Sequence, residues 1–309
     1  MGQRDNRMDY PQIFVKNIHN AFGSSGDQWL IDLPDIITLA EQKWNLTIGQ
    51  PMLLSYNYVT AAVQNDSLPV VLKIGVPQHE LISQLTSLEY FDGKGCVQLL
   101  EQDIEHGMFL LEKLTPGEML VSVENDDLRT HIACDVMKIL WRSVPENSSL
   151  IKLRDWFAGL DGLRPAFSGG TGYFPEELFS RVESLVPALF ADSSPPALIH
   201  GDLHHFNILS SKRGWVAIDP KGVIGPPEYE CGPLLINPIP DFPYLPAAIS
   251  QTERRIAILG ERLGFARERI RDWGLCHAIL SAWWDTDVQT GTGGEYSLAC
   301  AEIIAKAII

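Results

Sequence analysis

Several features that would define a class of protein are scarce in this sequence. Its 309 residues contain no run of about 18 apolar residues, which a membrane-spanning helix would need. Its five cysteines are scattered, odd in number and without CxxC spacing, which argues against a disulfide framework or a zinc site. The first residues, Met1 to Arg7, lack the apolar stretch of a secretion signal. We therefore expect a cytoplasmic protein in a reducing compartment, without a membrane segment.

Basic residues are also scarce. Lys and Arg number 24 against 39 Asp and Glu, which gives a formal net charge of −15. This balance disfavours nucleic acid as a partner, because binding phosphate backbones requires clustered Lys and Arg. It suits a cationic small molecule. An acidic surface that only keeps the protein soluble explains the charge equally well.

The apolar pattern in the first part of the chain alternates between helical and β-like stretches. A helical pattern between Asp35 and Trp44 comes first, and another runs through Leu81, Leu85 and Leu88. Asn65-Asp66 is typical of a hairpin turn. The runs that predict strands are Met52–Leu54, Tyr58–Val63, Val70–Ile74, Val97–Leu100 and Met108–Glu112.

The rest of the chain is mainly helical. Apolar residues recur at four-residue spacing, with a loop or connector expected over residues 163–174. The helical patterns are Leu128–Leu140, Leu178–Leu189, Ile256–Leu263 and Ile270–Leu280. Together these patterns predict an α+β protein with a small β-rich N-terminal lobe, residues 1–114, a hinge near residues 112–118 and a larger helical C-terminal lobe, residues 115–309.

The segment His200–Leu209 carries the strongest functional signal. Asp202 and Asn207 lie five positions apart, and Asp219 ends an apolar run twelve residues after Asn207. Phosphoryl transfer needs a carboxylate near the acceptor hydroxyl and oxygen ligands for the Mg²⁺ ions that bridge the nucleotide phosphates. These three residues would supply them. The alternative is a hairpin in which Asp and Asn only form turns, but the third residue at this spacing favours catalysis.

Lys73 lies near the end of a predicted strand, where a buried lysine requires a partner. In kinases a strand lysine holds the nucleotide phosphates and pairs with a helix glutamate. Glu80, which opens the next predicted helix, is the preferred partner, and Glu89 is the other candidate. An exposed lysine on an edge strand is the alternative.

The remaining nucleotide contacts are less well marked. No GxGxxG sequence precedes the strand of Lys73, and the corresponding turn is Ser55–Thr60. Its backbone N–H groups and the Ser55 hydroxyl are candidates to cover phosphates, although an ordinary hairpin explains the turn as well. Glu112 to Leu114 occupy the hinge position, where backbone groups would pair with adenine.

Four stretches of sequence resemble a known family. They are residues 198–209, 214–222, 229–238 and 280–284. The sequence resembles the aminoglycoside phosphotransferase and choline-kinase-like group, and within it the branch of streptomycin 6-phosphotransferases and hydroxyurea phosphotransferases. The resemblance implies a protein-kinase-like fold that uses ATP and Mg²⁺. It implies that Asp202 is the catalytic base, that Asn207 and Asp219 are metal ligands and that Lys73 holds the nucleotide phosphates, with His200 as an architectural residue of the loop.

The resemblance also places the acceptor in a cleft on the helical lobe, where acidic side chains would hold a cationic sugar or guanidinium. Trp283 or Trp284 would form a wall, with core packing expected for at least one of them. The acidic candidates are Glu228, Glu230, Asp285 and Asp287.

The sequence therefore predicts an ATP-dependent O-phosphotransferase acting on a small-molecule hydroxyl, most closely an aminoglycoside of the streptomycin type. Hydroxyurea or another small metabolite alcohol is the alternative acceptor. A non-catalytic nucleotide-binding scaffold with a kinase-like fold is the rival from another class, and the missing glycine-rich motif is its only support.

Overall fold

A computed structural model describes residues 10–52, 54–144, 148 and 150–309. The chain forms two compact units. The first contains residues up to Gly93 together with Val97–Leu114, and the second contains Lys94–Cys96 and Thr115–Ile309. The first is rich in strands and the second in helices. Among the described residues, none of the helices combines the length and apolarity needed to cross a bilayer.

The first unit is built on a five-stranded antiparallel sheet with the strand order β1-β2-β3-β5-β4. Asn65 and Asp66 form the β2–β3 turn with φ values of 50° and 58°, as predicted, because these residue types tolerate the left-handed region. Part of the strand predicted at residues 52–54 lies outside the described residues, and Met52 and Leu54 are not in a strand. The strands are β1 Leu46–Pro51, β2 Tyr58–Gln64, β3 Leu68–Ile74, β4 Leu99–Asp103 and β5 Met108–Glu112.

Among its described residues, the first unit also contains two helices, α1 (Gln12–Trp44) and α2 (His79–Phe91). The sequence predicted only the last part of α1. The helix is kinked at Gly23, whose φ of 55° is costly for residues with a side chain. Beyond the kink a single face is buried against the sheet, since its members recur at helical spacing. They are Trp29, Leu33, Ile37, Ala40 and Trp44.

The second unit is organised around a buried helix, Arg267–Trp284, and two small sheets. That helix packs against four others, and its residues from Trp273 to Leu280 are all buried. Leu163–Ala166 forms a helical turn at the start of the segment predicted as a connector. The helices are α3 Asp126–Leu140, α4 Leu153–Ala158, α5 Leu163–Ala166, α6 Glu176–Ala191, α7 Cys231–Leu235, α8 Ala248–Leu263, α9 Arg267–Trp284 and α10 Glu295–Lys306.

The sheets of the second unit position the segment of interest. One has the strand order β11-β10-β6 and the other β7-β9-β12-β8. Residues 200–207 connect β9 in one sheet to β10 in the other. The strands are β6 Pro116–Met119, β7 Arg142–Ser143, β8 Ile151–Lys152, β9 Ala197–Ile199, β10 Ile208–Ser211, β11 Gly214–Ala217 and β12 Val223–Gly225.

Candidate active site

The structure brings Asp202, Asn207 and Asp219 to the same end of a hairpin. Strands β10 and β11 pair with Ile208 opposite Ala217, so Asn207 directly precedes the ladder and Asp219 follows it. The Ile218 N–H donates to the Asn207 carbonyl at 2.8 Å. The Asn207 Nδ2 donates to the Asp202 carbonyl at 2.9 Å. Asp202 and Asn207 are therefore bonded directly, and Asp219 follows Ile218, which bonds to Asn207, although 17 positions separate Asp202 from Asp219.

Asp202 itself is accessible. Its side chain is 36% exposed, and His204 Nε2 lies 3.7 Å from its Oδ1. A carboxylate that takes a proton from a substrate must be reachable from solvent, and this one is.

Asp219 has an unusual backbone conformation, with φ 59°. A residue other than glycine in this region costs about 1–3 kcal/mol, and such strain is concentrated at functional sites. Asp and Asn tolerate the region better than most residues. The backbone conformation of Asp219 therefore fixes the position from which its side chain extends.

His200 is fully buried beneath the segment. Its Nδ1 accepts the Asp202 N–H at 3.2 Å, and its Nε2 donates to the Ile218 carbonyl at 2.8 Å. Only the neutral ring protonated at Nε2 can make both bonds. Burial lowers the pKa of His200 to about 4, consistent with this neutral form. The architectural role implied for His200 is confirmed.

Glu230 supports the segment from the other side. Its Oε2 accepts the His200 N–H at 2.6 Å and its Oε1 accepts the Gly201 N–H at 2.9 Å. Burial raises the pKa of Glu230 to about 8, and these backbone N–H groups lower it only in part. The residue is 0% exposed. This burial conflicts with the prediction that Glu230 contacts the acceptor, because both oxygens face the backbone of the segment that carries Asp202.

Gly201 is required by its surroundings. Its φ is 86°, and a Cβ there would lie 2.7 Å from Val223 Cγ2 and 3.2 Å from Trp156 Cη2. Trp156 thus packs directly against the residue before Asp202. Trp156 carries no local sequence signal, because its position depends on the packing of α4 rather than on a local motif.

The donor set at the hairpin end fits Mg²⁺. Asp219 offers a carboxylate, and the Asn207 amide keeps its Oδ1 as an acceptor because its nitrogen donates to Asp202. Within the described residues, no group of three or more His, Cys, Asp or Glu residues has the arrangement of a metal site. Mg²⁺ commonly takes one or two protein oxygens and completes its shell with phosphate and water. One carboxylate and one amide are sufficient for that mode of binding.

Lys73 in the first unit is buried on a central strand. It is 5% exposed, lies opposite Phe109 in β5, and its Nζ is 5.8 Å from the centre of that ring. Strand β3 has neighbours on both sides. The alternative of an exposed edge-strand lysine is therefore wrong.

The predicted Lys73–Glu80 pair fits the structure less well. Glu80 is exposed in the first turn of α2, whereas Lys73 is buried. Glu89 is exposed and accepts a hydrogen bond from Gln102. The polar residues that α2 buries carry no charge, namely Ser83, Gln84 and Ser87. Glu80 thus differs in exposure from Lys73, and their pairing stays a prediction.

The other predicted nucleotide contacts, Ser55, Glu112 and Leu114, differ in exposure and in hydrogen bonding. Ser55 is exposed in a bend. The Glu112 amide donates to the Gln98 carbonyl at 3.0 Å, and the Glu112 Oε1 accepts the Gln98 N–H at 2.8 Å. The Glu112 N–H is therefore committed inside the unit, whereas Leu114 is half-buried at the end of the segment.

The acceptor candidates separate into buried and exposed residues. Glu228 is 3% exposed and accepts hydrogen bonds from the N–H and hydroxyl of Ser194, so it is structural. Asp287 organises a turn by accepting the N–H groups of Gln289 and Thr290. Asp285 is exposed, and desolvation together with the Glu295 carboxylate raises its pKa. Trp284 is 50% exposed.

Trp283 is held in place. Its Nε1 donates to the Gly159 carbonyl at 2.9 Å, and its ring packs against Phe167 and Phe174. Trp283 is half-buried, so it packs against neighbouring rings without belonging to the buried core in which one of the two tryptophans was expected.

The chain is similar to known proteins over most of its length. The family model described as "Aminoglycoside/hydroxyurea antibiotic resistance kinase" matches residues 48–289. The streptomycin 6-kinase of Streptomyces glaucescens is 28% identical over 284 residues, which cover 91% of this chain and 92% of that protein. The hydroxyurea phosphotransferase of Kitasatospora aureofaciens is 29% identical over 286 residues, 91% of this chain and 82% of that protein.

A solved structure shows the same fold at low sequence identity. It is a thermostable mutant of the aminoglycoside phosphotransferase APH(4)-Ia in a ternary complex with ADP and hygromycin B, with a TM-score of 0.60 and 12% identity. The match covers 87% of this chain and 98% of that one. The predicted α+β, protein-kinase-like fold is confirmed. By the family match over most of its length, the chain belongs to the aminoglycoside/hydroxyurea antibiotic resistance kinases, which are phosphotransferases with a hydroxyl acceptor.

Proposed function

We propose that this protein transfers the γ-phosphoryl group of ATP to a hydroxyl of a cationic aminoglycoside of the streptomycin type. The observation that carries the proposal is the convergence of Asp202, Asn207 and Asp219 at one end of the β10–β11 hairpin. The streptomycin 6-kinase match over most of both chains supports the acceptor class.

In the proposed reaction the exposed Asp202 carboxylate orients the acceptor hydroxyl and accepts its proton. The hydroxyl oxygen bonds to the γ-phosphorus while the bond from that phosphorus to the oxygen of the departing ADP breaks. Asn207 and Asp219 would hold Mg²⁺, which when bound neutralises charge on the nucleotide phosphates. Lys73 is the proposed contact to the α- and β-phosphates.

The supporting residues act on geometry. Glu230 and His200 fix the backbone of residues 200–202 through three hydrogen bonds, and a fourth ties His200 to the Ile218 carbonyl, so the position of the Asp202 backbone is set. Holding reactants in place contributes to a phosphoryl transfer reaction because there is little covalent chemistry for the protein to perform.

Hydroxyurea is the second candidate acceptor, because the match to hydroxyurea phosphotransferase is as long as the first. The two candidates differ in charge. Hydroxyurea is small and neutral, whereas the −15 net charge suits a cation.

Mass spectrometry tests the proposal. The enzyme is incubated with MgATP and, separately, streptomycin, other aminoglycosides, hydroxyurea and simple alcohols. We expect a gain of one phosphate on streptomycin. If only hydroxyurea gained phosphate, hydroxyurea would replace streptomycin as the acceptor. Binding of ATP with neither hydrolysis nor transfer would favour the non-catalytic scaffold.

A further inference from the structure

A cavity of about 640 Å³ lies in the first unit. Helix α1 forms one wall, residues 76–78 between β3 and α2 form the second, and Glu105 and His106 in the turn between β4 and β5 form the third. The Gly75 N–H donates to the Gly107 carbonyl at 2.9 Å, which ties the second wall to the third. Pockets of this volume hold small organic molecules. We call it the α1 cavity.

The α1 cavity is lined by the helix that covers the face of the sheet opposite to Lys73. Leu72 and Ile74 of β3 belong to one buried cluster with Trp29 of α1. Successive side chains of a strand point to opposite faces, so Lys73 points away from that cluster. Its Nζ lies over the Phe109 ring instead. The proposed nucleotide contact and the α1 cavity are therefore on different sides of the sheet.

The lining of the α1 cavity is negatively charged. It contains the carboxylates of Asp32, Asp35 and Glu105, and no lysine or arginine among the described residues. Asp32 and Asp35 share one face of α1 with Gln28, whose Nε2 donates to Asp32 Oδ1 at 2.9 Å. Asp35 and Glu105 make no hydrogen bond or ion pair within the described part of the chain. Carboxylates without a protein partner favour a cationic occupant.

Trp29 provides a second, independent observation. It lines the α1 cavity, is 4% exposed and packs edge-on against Phe14. Its indole Nε1 has no hydrogen-bond partner among the described residues. A buried N–H without an acceptor is unfavourable, and folded proteins leave few of them. An occupant that offers an oxygen atom to this N–H would remove the cost.

We propose that the α1 cavity binds a hydroxylated organic amine of about the size of a six-carbon ring. Its ammonium group pairs with the carboxylates of Asp35 and Glu105, and one of its hydroxyl oxygens accepts the Trp29 N–H. This is a second ligand site, in a different unit from Asp202, Asn207 and Asp219. The inference is independent of the identity of the acceptor.

Magnetic resonance of protein labelled with ¹⁵N at tryptophan tests the inference. Each of the eight tryptophans contributes one indole N–H signal, and Trp29→Phe identifies the signal of Trp29 by its loss. Sequential assignment identifies it if that variant does not fold. Glucosamine is the probe, glucose is the control without charge, and cyclohexylamine is the control without hydroxyls. We expect glucosamine to shift the Trp29 signal with a Kd of about 1–10 mM, as for a ligand of this size, and both controls to bind more weakly.

The double variant Asp35→Asn with Glu105→Gln tests the charge. Both residues are exposed, so the fold should be retained. The glucosamine Kd should rise about three- to tenfold, the combined effect of two exposed ion pairs. Asp66→Asn is the matched control, because it removes a charge from an exposed turn of the same unit outside the cavity. It should leave the Kd unchanged.

Saturating MgATP should also leave the glucosamine Kd unchanged, because Lys73 points to the other face of the sheet. The inference would be overturned by a Trp29 signal that does not shift at several times the expected Kd, or by a shift that MgATP abolishes. Equal affinity for glucosamine and either control compound would overturn it too, as would an unchanged Kd in the double variant. None of these results bears on the proposed phosphoryl transfer.

Discussion

The catalytic segment of the second unit and the phosphate-covering turn proposed for the first unit are held in different ways. Residues 200–207 are fixed by buried side chains that bond to the backbone, chiefly Glu230 and His200. Ser55 in the turn is exposed, and its carbonyl accepts a long bond of 3.4 Å from Asn17. A segment that presents a side chain for chemistry needs particular residue types around it. A segment that presents only backbone N–H groups does not need particular residue types around it.

The largest effect should come from the metal-binding end of the fixed segment. Asp219→Ala should abolish Mg²⁺-dependent nucleotide binding or turnover, because a hard cation has no apolar substitute for a carboxylate. Titration calorimetry with MgATP and a turnover assay measure both. The exposed Asp192, whose side chain is 96% accessible, provides the control Asp192→Ala. Unchanged MgATP affinity together with an unchanged rate would make Asp219 a turn residue.

Glu230→Ala tests how the catalytic segment is held, because it removes the acceptor of the His200 and Gly201 N–H groups and leaves Asp202 unchanged. Two buried backbone N–H groups would lose their acceptor at about 1–3 kcal/mol each, which lowers the melting temperature and misplaces the base. We expect kcat to fall about tenfold or more, with little change in the KM for the acceptor. Glu228→Ala is the control, since Glu228 is also buried but bonds to Ser194. It should lower the melting temperature and spare kcat. A rise in acceptor KM alone would restore Glu230 as a substrate contact.

A smaller effect is expected at Asp285, the exposed acidic residue that follows Trp284 in the chain. Asp285→Asn should raise the acceptor KM about two- to fivefold and spare the KM for ATP, because an exposed charge pair is worth about 0.2–1 kcal/mol. The effect should shrink as salt rises, since exposed charges are screened over about 8–10 Å. Kinetics at two ionic strengths measure both. A salt-independent acceptor KM would argue against charge recognition.

The smallest effect is expected at Glu80 in the first unit. Glu80 is exposed, so Glu80→Ala should change stability by no more than about 0.5 kcal/mol. We expect the KM for ATP to stay within about twofold, whereas Lys73→Met should raise it clearly. A loss in Glu80→Ala as large as that in Lys73→Met would show that the two side chains pair when nucleotide is bound, and the contrast between the units would weaken.

The sequence predicted the elements that have strong local signals. The α+β layout, the Asn65-Asp66 turn and the helices around Leu128–Leu140 and Ile270–Leu280 are confirmed. The first half of α1 was missed, because Gly23, Gly26 and Pro34 interrupt its pattern with residues that disfavour helix.

The part of the candidate site that has a strong local signal in the sequence was also predictable. Asp202, Asn207 and Asp219 share a short stretch of chain, so their spacing reports their proximity. Glu230 and Trp156 reach the segment only through tertiary packing. Nothing local in the sequence distinguishes a glutamate that binds backbone N–H groups from one that faces a ligand.

Turnover and nucleotide affinity of Asp202→Asn test the central claim most directly. The substitution keeps the shape of the side chain and removes the proton acceptor. We predict a fall in kcat of about 10²–10⁴-fold, the usual scale for a positioned acid–base group, with folding and the Kd for MgATP nearly unchanged. An Asp202→Asn enzyme that phosphorylates its acceptor at the wild-type rate would contradict the account.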